Sequence, residues 1–185
     1  IDCGLGVARG LADQGFALKD LSAIVITHLH SDHYLELGPL IHTAWTAGLK
    51  TPVDIWGPVG LLRYWRGFLD SMADDLTYRI HEEGRPDLNT LVRLHALTVG
   101  TETTIGPIRM TAGQSIHPPL TETFALRFEA GGKAEWRVEV QAHRLNRCSR
   151  VLTQSREFGQ AECTSESDAS HADVMREFGI ERAEE

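Results

Sequence analysis

The sequence predicts a mixed α+β sandwich, and three observations predict it. Residues 23–27, AIVIT, form a short continuous run rich in β-branched residues, which suits a strand buried on both faces. Strand and helix patterns alternate as far as about residue 72. From about residue 90 to residue 129 strand patterns follow one another in series, which argues against a doubly wound sheet.

Taken in order, IDCG at residues 1–4 reads as the end of a strand running into a glycine turn, and a helix follows over residues 7–14. After the strand at 23–27 comes the polar segment HLHSDHY. A helix is expected from near Gly38-Pro39, with proline in its first turn, to about Ala47. Residues 53–56 form the next strand, closed by Gly57-Pro58. Leu61, Leu62, Trp65, Phe68, Leu69 and Met72 recur at helical spacing, the pattern of a helix packing one apolar face on a sheet. Strands are expected over 90–99, 106–111 and 124–129, the last running into the turn Gly131-Gly132.

The texture changes after Lys133. Large apolar residues make up about a third of the chain before it and about a fifth after it, too few there for an obvious packed face. Only residues 173–180 again show an amphipathic pattern, through Val174, Met175 and Phe178. The expected organisation is a domain over residues 1–133 and an atypical, loosely ordered segment over 134–185. A shift of reading frame just after Lys133 would explain the break.

Composition narrows the function classes. The chain is 42% hydrophobic and 24% charged, as in a globular protein, and no apolar run approaches the ~20 residues that span a bilayer. Residues 161–185 carry eight acids and two arginines, so most of the net charge of −8 belongs there and does not oppose an anionic substrate at the body. No basic stripe marks a nucleic-acid surface. Cys3, Cys148 and Cys163 are far apart and form no CxxC pair, so the expected compartment is reducing, with a cytoplasmic location.

The chemistry lies in HLHSDH. His28, His30, Asp32 and His33 place three imidazoles and a carboxylate within six residues, directly after a buried strand. On an extended backbone His28 and His30 point the same way. Asp32 and His33 follow as the chain turns away. Neutral imidazole and carboxylate are ligands for Zn²⁺, with Mn²⁺ or Fe²⁺ as alternatives. The pairing suggests two ions, His28 and His30 holding the first and Asp32 and His33 the second. Two such ions can share a nucleophilic hydroxide. The remaining histidines read as ordinary: His42 within a helix, His81 in an acidic loop, His95 on a strand, His143 and His171 in the atypical segment. On its own, His117 before Pro118-Pro119 reads as a loop residue, and Asp2 as a turn acid before Gly4.

With IDCG upstream, IWGPVGL downstream and IGPIRMTAGQSIHPPLTETFALRFEAGGK beyond, the HxHxDH pattern resembles the metallo-β-lactamase superfamily, in particular its ribonuclease Z and arylsulfatase-like branch. The resemblance covers about residues 1–133. It implies an αββα four-layer sandwich with the metal site where the two sheets meet. It also implies that His117 completes the histidine set of the first metal, and that Asp2 shapes the site from behind. The implied activity is a metal-dependent hydrolase acting on a phosphodiester or ester bond. Asp32 would be a ligand that also orients the attacking water. The substrate would be a small-molecule ester or phosphodiester, with RNA a further candidate, and the assembly a homodimer without membrane association.

The sequence departs from the family in two places. The family continues after the GGK turn with an apolar strand ending in Gly-Asp, whose aspartate bridges two ions, and a later histidine completes the second site. Here AEWRVEVQAHRLNRCSRV follows, and Asp168, His171 and Asp173 sit in the wrong context to take those roles. The family also begins with a hairpin before the equivalent of IDCG, so the chain reads as a fragment cut at its N-terminus. These departures support an alternative expectation, a catalytically impaired metal-binding relic.

Overall fold

The computed structural model describes residues 1–137, the last five by backbone alone. Three short strands, β1 (Ala23–Val25), β2 (Val53–Gly57) and β3 (Val92–Ala96), form a parallel sheet in that order. Four further strands, β4 (Glu102–Ile105), β5 (Ile108–Gln114), β6 (Phe124–Ala130) and β7 (Lys133–Arg137), form an antiparallel meander. The helices are α1 (Val7–Asp13), the single turn α2 (Ser31–Tyr34), α3 (Leu37–Thr46), α4 (Leu61–Ser71) and α5 (Ala73–Glu83).

The layers follow from the two-residue period of the strands. Ile24, Val53 and Ile55 face one way and pack with α3, α4 and α5 around Leu40, Ile41, Trp45, Leu61, Trp65 and Leu76. Val25 and Trp56 face the other way and meet Met110, Ala112, Phe124 and Leu126 of the antiparallel sheet. β1 and most of β2 are buried on both faces, which is why AIVIT lacks alternation, whereas β3 at the sheet edge exposes Arg93 and His95. Trp45 is fully buried, and its indole N–H donates to the Pro86 carbonyl at 2.9 Å, so its one polar atom is satisfied. At the β6–β7 hairpin, Gly131 and Gly132 have φ of 57° and 77°, the left-handed pair that a two-residue turn of this kind demands.

Helices, parallel sheet and antiparallel sheet supply three successive layers of the expected mixed sandwich. The helix expected over 173–180 lies outside the described residues, as do His143, Asp168, His171, Asp173 and nearly all of the segment assigned to 134–185.

Several local expectations change. The stripe from Leu61 to Met72 belongs to α4 and the link after it, with Leu62 turned outward at 42% exposure. A second helix, α5, follows after the single link residue Met72, so His81 is helical rather than in a loop. Its apolar signal is thin, since Leu76 is its one buried residue. The strand expected from residue 90 begins as a 3₁₀ turn over Leu88–Leu91. β4 is short, and its burial alternates between exposed and intermediate, so it lacks the apolar face that would have revealed it.

Candidate metal centre

The site forms where the C-terminal end of β1 meets the loop between β5 and β6. β1 ends at Val25, and the next residues leave the sheet as extended chain, with His30 (φ −87°, ψ 144°) preceding the helical turn of α2. The amide of Ile26 still donates to the Trp56 carbonyl at 2.8 Å, so the chain is held straight up to the first histidine. The His28 and His30 rings then lie with centroids 5.0 Å apart. Asp32 and His33 fall within α2, which turns them to a neighbouring position.

His117 arrives from the opposite sheet. The β5–β6 loop is closed on itself: Ser115 N donates to the Thr123 carbonyl at 3.2 Å, and Thr123 Oγ1 donates to the Ser115 carbonyl at 2.7 Å. The Leu120 amide donates to the His117 carbonyl at 2.9 Å, and the intervening Pro118-Pro119 bond is cis. Phe124 N donates to the Thr27 carbonyl at 3.1 Å, which ties this loop to the residue before His28. As a result the His117 ring centroid is 4.9 Å from that of His28 and 4.6 Å from that of His30, and His117 Nε2 is 3.0 Å from His30 Nδ1.

His28, His30 and His117 each offer a ring nitrogen, and these three atoms lie within 4.8 Å of one another, so the trio can hold a metal ion. Two observations fit that reading. The donor set is all imidazole, the ligand type that borderline divalent ions take. His28 is 1% exposed, and its Nε2 is a buried polar atom with no hydrogen-bond partner, an expensive arrangement for a folded protein to keep without a ligand. Burial, with the neighbouring His33, His117 and His30 rings, pushes the His28 pKa down to about 4, so the ring is a neutral lone-pair donor at physiological pH.

Beside the trio, the His28 and His33 ring centroids are 4.0 Å apart. His33 Nε2 lies 3.4 Å from an Asp32 oxygen, and the Asp32 side chain is 65% exposed at the open side of the site. Behind the site, Asp2 accepts from Thr27 N at 2.8 Å and from Thr27 Oγ1, and lies 3.0 Å from His33 Nδ1. The whole IDCG segment is seated on the histidine segment. Asp2 N donates to the Val25 carbonyl, Cys3 N to His33 and Glu36 N to Cys3. Gly4 lies so close to the Asp32 backbone carbonyl that a Cβ there would collide with it.

Sequence reasoning did not identify Thr27, Thr123 or Gly4. Thr27 was legible only as the last residue of a buried strand, and the others carry no signal without their spatial partners. Two histidines outside the cluster have other partners. His42 Nε2 lies 2.8 Å from an Asp75 oxygen, and His95 Nε2 lies 2.7 Å from an Asp54 oxygen while its ring stacks on Trp56.

A family model described as the anti-Pycsar protein Apyc1 matches residues 1–172. Ribonuclease Z from Mycobacterium bovis (strain BCG / Pasteur 1173P2) is 31% identical over 135 residues, covering 71% of this chain and 48% of that protein. Ribonuclease Z from Mycobacterium sp. (strain KMS) is 34% identical over 133 residues, covering 70% and 46%. The chain thus spans about half the length of the curated relatives it matches. Among solved structures, human tRNase Z, short form, superposes with a TM-score of 0.55 at 18% identity, covering 78% of this chain and 59% of that one, a likeness of fold.

Proposed function

The chain belongs to the anti-Pycsar protein Apyc1 family, as a ribonuclease Z-like protein of the metallo-β-lactamase fold, and we propose that it carries the metal-binding half of a phosphodiester hydrolase. The observation that carries this reading is the buried, partnerless Nε2 of His28, on a ring that lies beside two further imidazoles, one from each sheet. In the proposal His28, His30 and His117 hold one divalent ion, Zn²⁺ first, and Asp32 and His33 supply ligands to a second. A bound ion of this kind supplies Lewis acidity and lowers the pKa of a coordinated water. The residues of the chain then divide the remaining work. His28 is kept neutral by burial, Asp2 orients His33 through Nδ1, and the exposed Asp32 carboxylate lies where it can orient the attacking water.

The ribonuclease Z relatives support a phosphodiester over a carboxylic ester, with RNA or a small phosphodiester as substrate. A cytoplasmic homodimer completes the proposal. None of the described residues form a helix long and apolar enough to cross a membrane.

The test is hydrolysis of a chromogenic phosphodiester by the purified chain. Activity should vanish on chelation, return with Zn²⁺ and be lost in His117→Ala. Turnover that survives both chelation and the substitution would overturn the reading. A second reading, a relic that holds one ion without turnover, is favoured by one observation: among the described residues a single group of three donors is assembled. One bound equivalent with no hydrolysis would support it.

A further inference from the structure

Thr27 sits between a carboxylate and the most buried ring of the cluster. Its Oγ1 is 3.1 Å from both Asp2 oxygens and 2.9 Å from His28 Nδ1. A threonine hydroxyl has one proton to donate and lone pairs to accept with, whereas a carboxylate can only accept. If the proton pointed at His28 Nδ1, the hydroxyl lone pairs would face both oxygens of a charged group at 3.1 Å, and the stronger, charge-assisted bond would be lost. The hydroxyl therefore donates to Asp2 and accepts from His28, which requires the His28 proton to be on Nδ1.

The other end of the ring does not oppose this assignment: His28 Nε2 has no partner, and it is left unsatisfied whether it carries the proton or the lone pair. A proton on Nε2 would in addition set two lone pairs against each other at Nδ1. A proton on Nδ1 avoids that repulsion and leaves at Nε2 an acceptor that a metal ion can take up.

We infer that Thr27, with its hydroxyl proton committed to Asp2, is a positioning residue that locks His28 as the Nδ1–H tautomer and so directs the Nε2 lone pair into the histidine cluster. The inference rests on the metal reading for its consequence, because only a ligand makes use of that lone pair, but the tautomer itself belongs to the metal-free protein. Thr27 is 2% exposed, and its backbone N–H already bonds Asp2 at 2.8 Å. Thr27→Val therefore removes the hydroxyl while keeping shape and the main-chain bond. Thr27→Ser keeps the hydroxyl.

The experiment is a long-range ¹H–¹⁵N correlation spectrum of the metal-free chain with labelled histidine, followed by zinc titration. In the wild type and in Thr27→Ser, His28 should show a protonated Nδ1 and an unprotonated Nε2. In Thr27→Val the His28 pattern should shift toward the other tautomer, and zinc affinity should fall about 10- to 100-fold, the usual effect of losing a partner that orients a ligand. A wild-type His28 protonated on Nε2 overturns the inference, and so does a Thr27→Val chain with unchanged tautomer and affinity. Should Thr27→Val fail to fold, the wild-type spectrum decides alone. The expected tautomer in a chain that binds no zinc supports the assignment and overturns the metal reading instead.

Discussion

The amide of Phe124, the first residue of β6, donates to the carbonyl of Thr27, the residue before His28, at 3.1 Å. One hydrogen bond thus ties the loop that carries His117 to the strand end that carries the other two imidazoles. The loop's own closure is therefore part of the site.

Thr123 tests that closure. Its buried hydroxyl donates to the Ser115 carbonyl at 2.7 Å, across the base of the His117 loop. Thr123→Val should cost about 0.5–1.5 kcal/mol of stability, the net worth of one such bond. It should also weaken zinc binding by about tenfold or more through displacement of His117. Denaturant melts and zinc titration read the two effects separately, and full affinity in a destabilised variant would show that the loop does not position the ligand.

Gly4 tests the seating of IDCG. Any side chain at this position meets the Asp32 backbone carbonyl, and neither backbone can yield cheaply. Gly4→Ala should cost about 1–3 kcal/mol, the range for overpacking a tight contact. Unchanged thermal stability would mean that the two segments are not in contact.

The pH dependence of the metal-free protein follows from His28. Its folded pKa, about 4, lies below the ordinary 6.5, so the unfolded chain takes up this proton first as pH falls. The contribution is fully present above pH 6.5 and is lost progressively as pH drops toward 4. Chelated wild type should therefore lose stability over that window more steeply than chelated His28→Asn. Parallel curves for the two chains would contradict the assigned burial of the neutral ring.

His95 provides the contrast. It stacks on Trp56 and pairs with Asp54 at the surface, with its side chain 41% exposed, and is not one of the three assembled donors. His95→Ala should change stability by no more than about 1 kcal/mol, the range for an exposed ion pair, and leave metal content at the wild-type level. Loss of bound zinc on this substitution would place the metal elsewhere.

How much of this was legible depends on sequence distance. His28, His30, Asp32 and His33 announce themselves because four ligand residues crowd into six positions after a strand whose apolar run is unmistakable. His117 is 87 residues from its partner His30, and nothing in its own neighbourhood distinguishes it from a loop histidine; only the resemblance suggested it. Thr27 and Thr123 act through single hydrogen bonds to distant partners, which no local pattern encodes. In the fold, the helix stripe at Leu61 and Trp65 was legible because it buries a full face. α5 was not, because it rests on the core mainly through Leu76 and is acidic elsewhere. β4 hid for the same reason, being held by pairing with β5 rather than by an apolar face of its own.

The most direct test of the central claim is the metal content of the purified chain beside that of His30→Ala, measured by elemental analysis after identical zinc loading. At least one equivalent should be bound by the wild type and lost from the variant, with the fold retained by circular dichroism. Equal zinc in the two proteins would contradict the assignment of the histidine cluster as the metal centre.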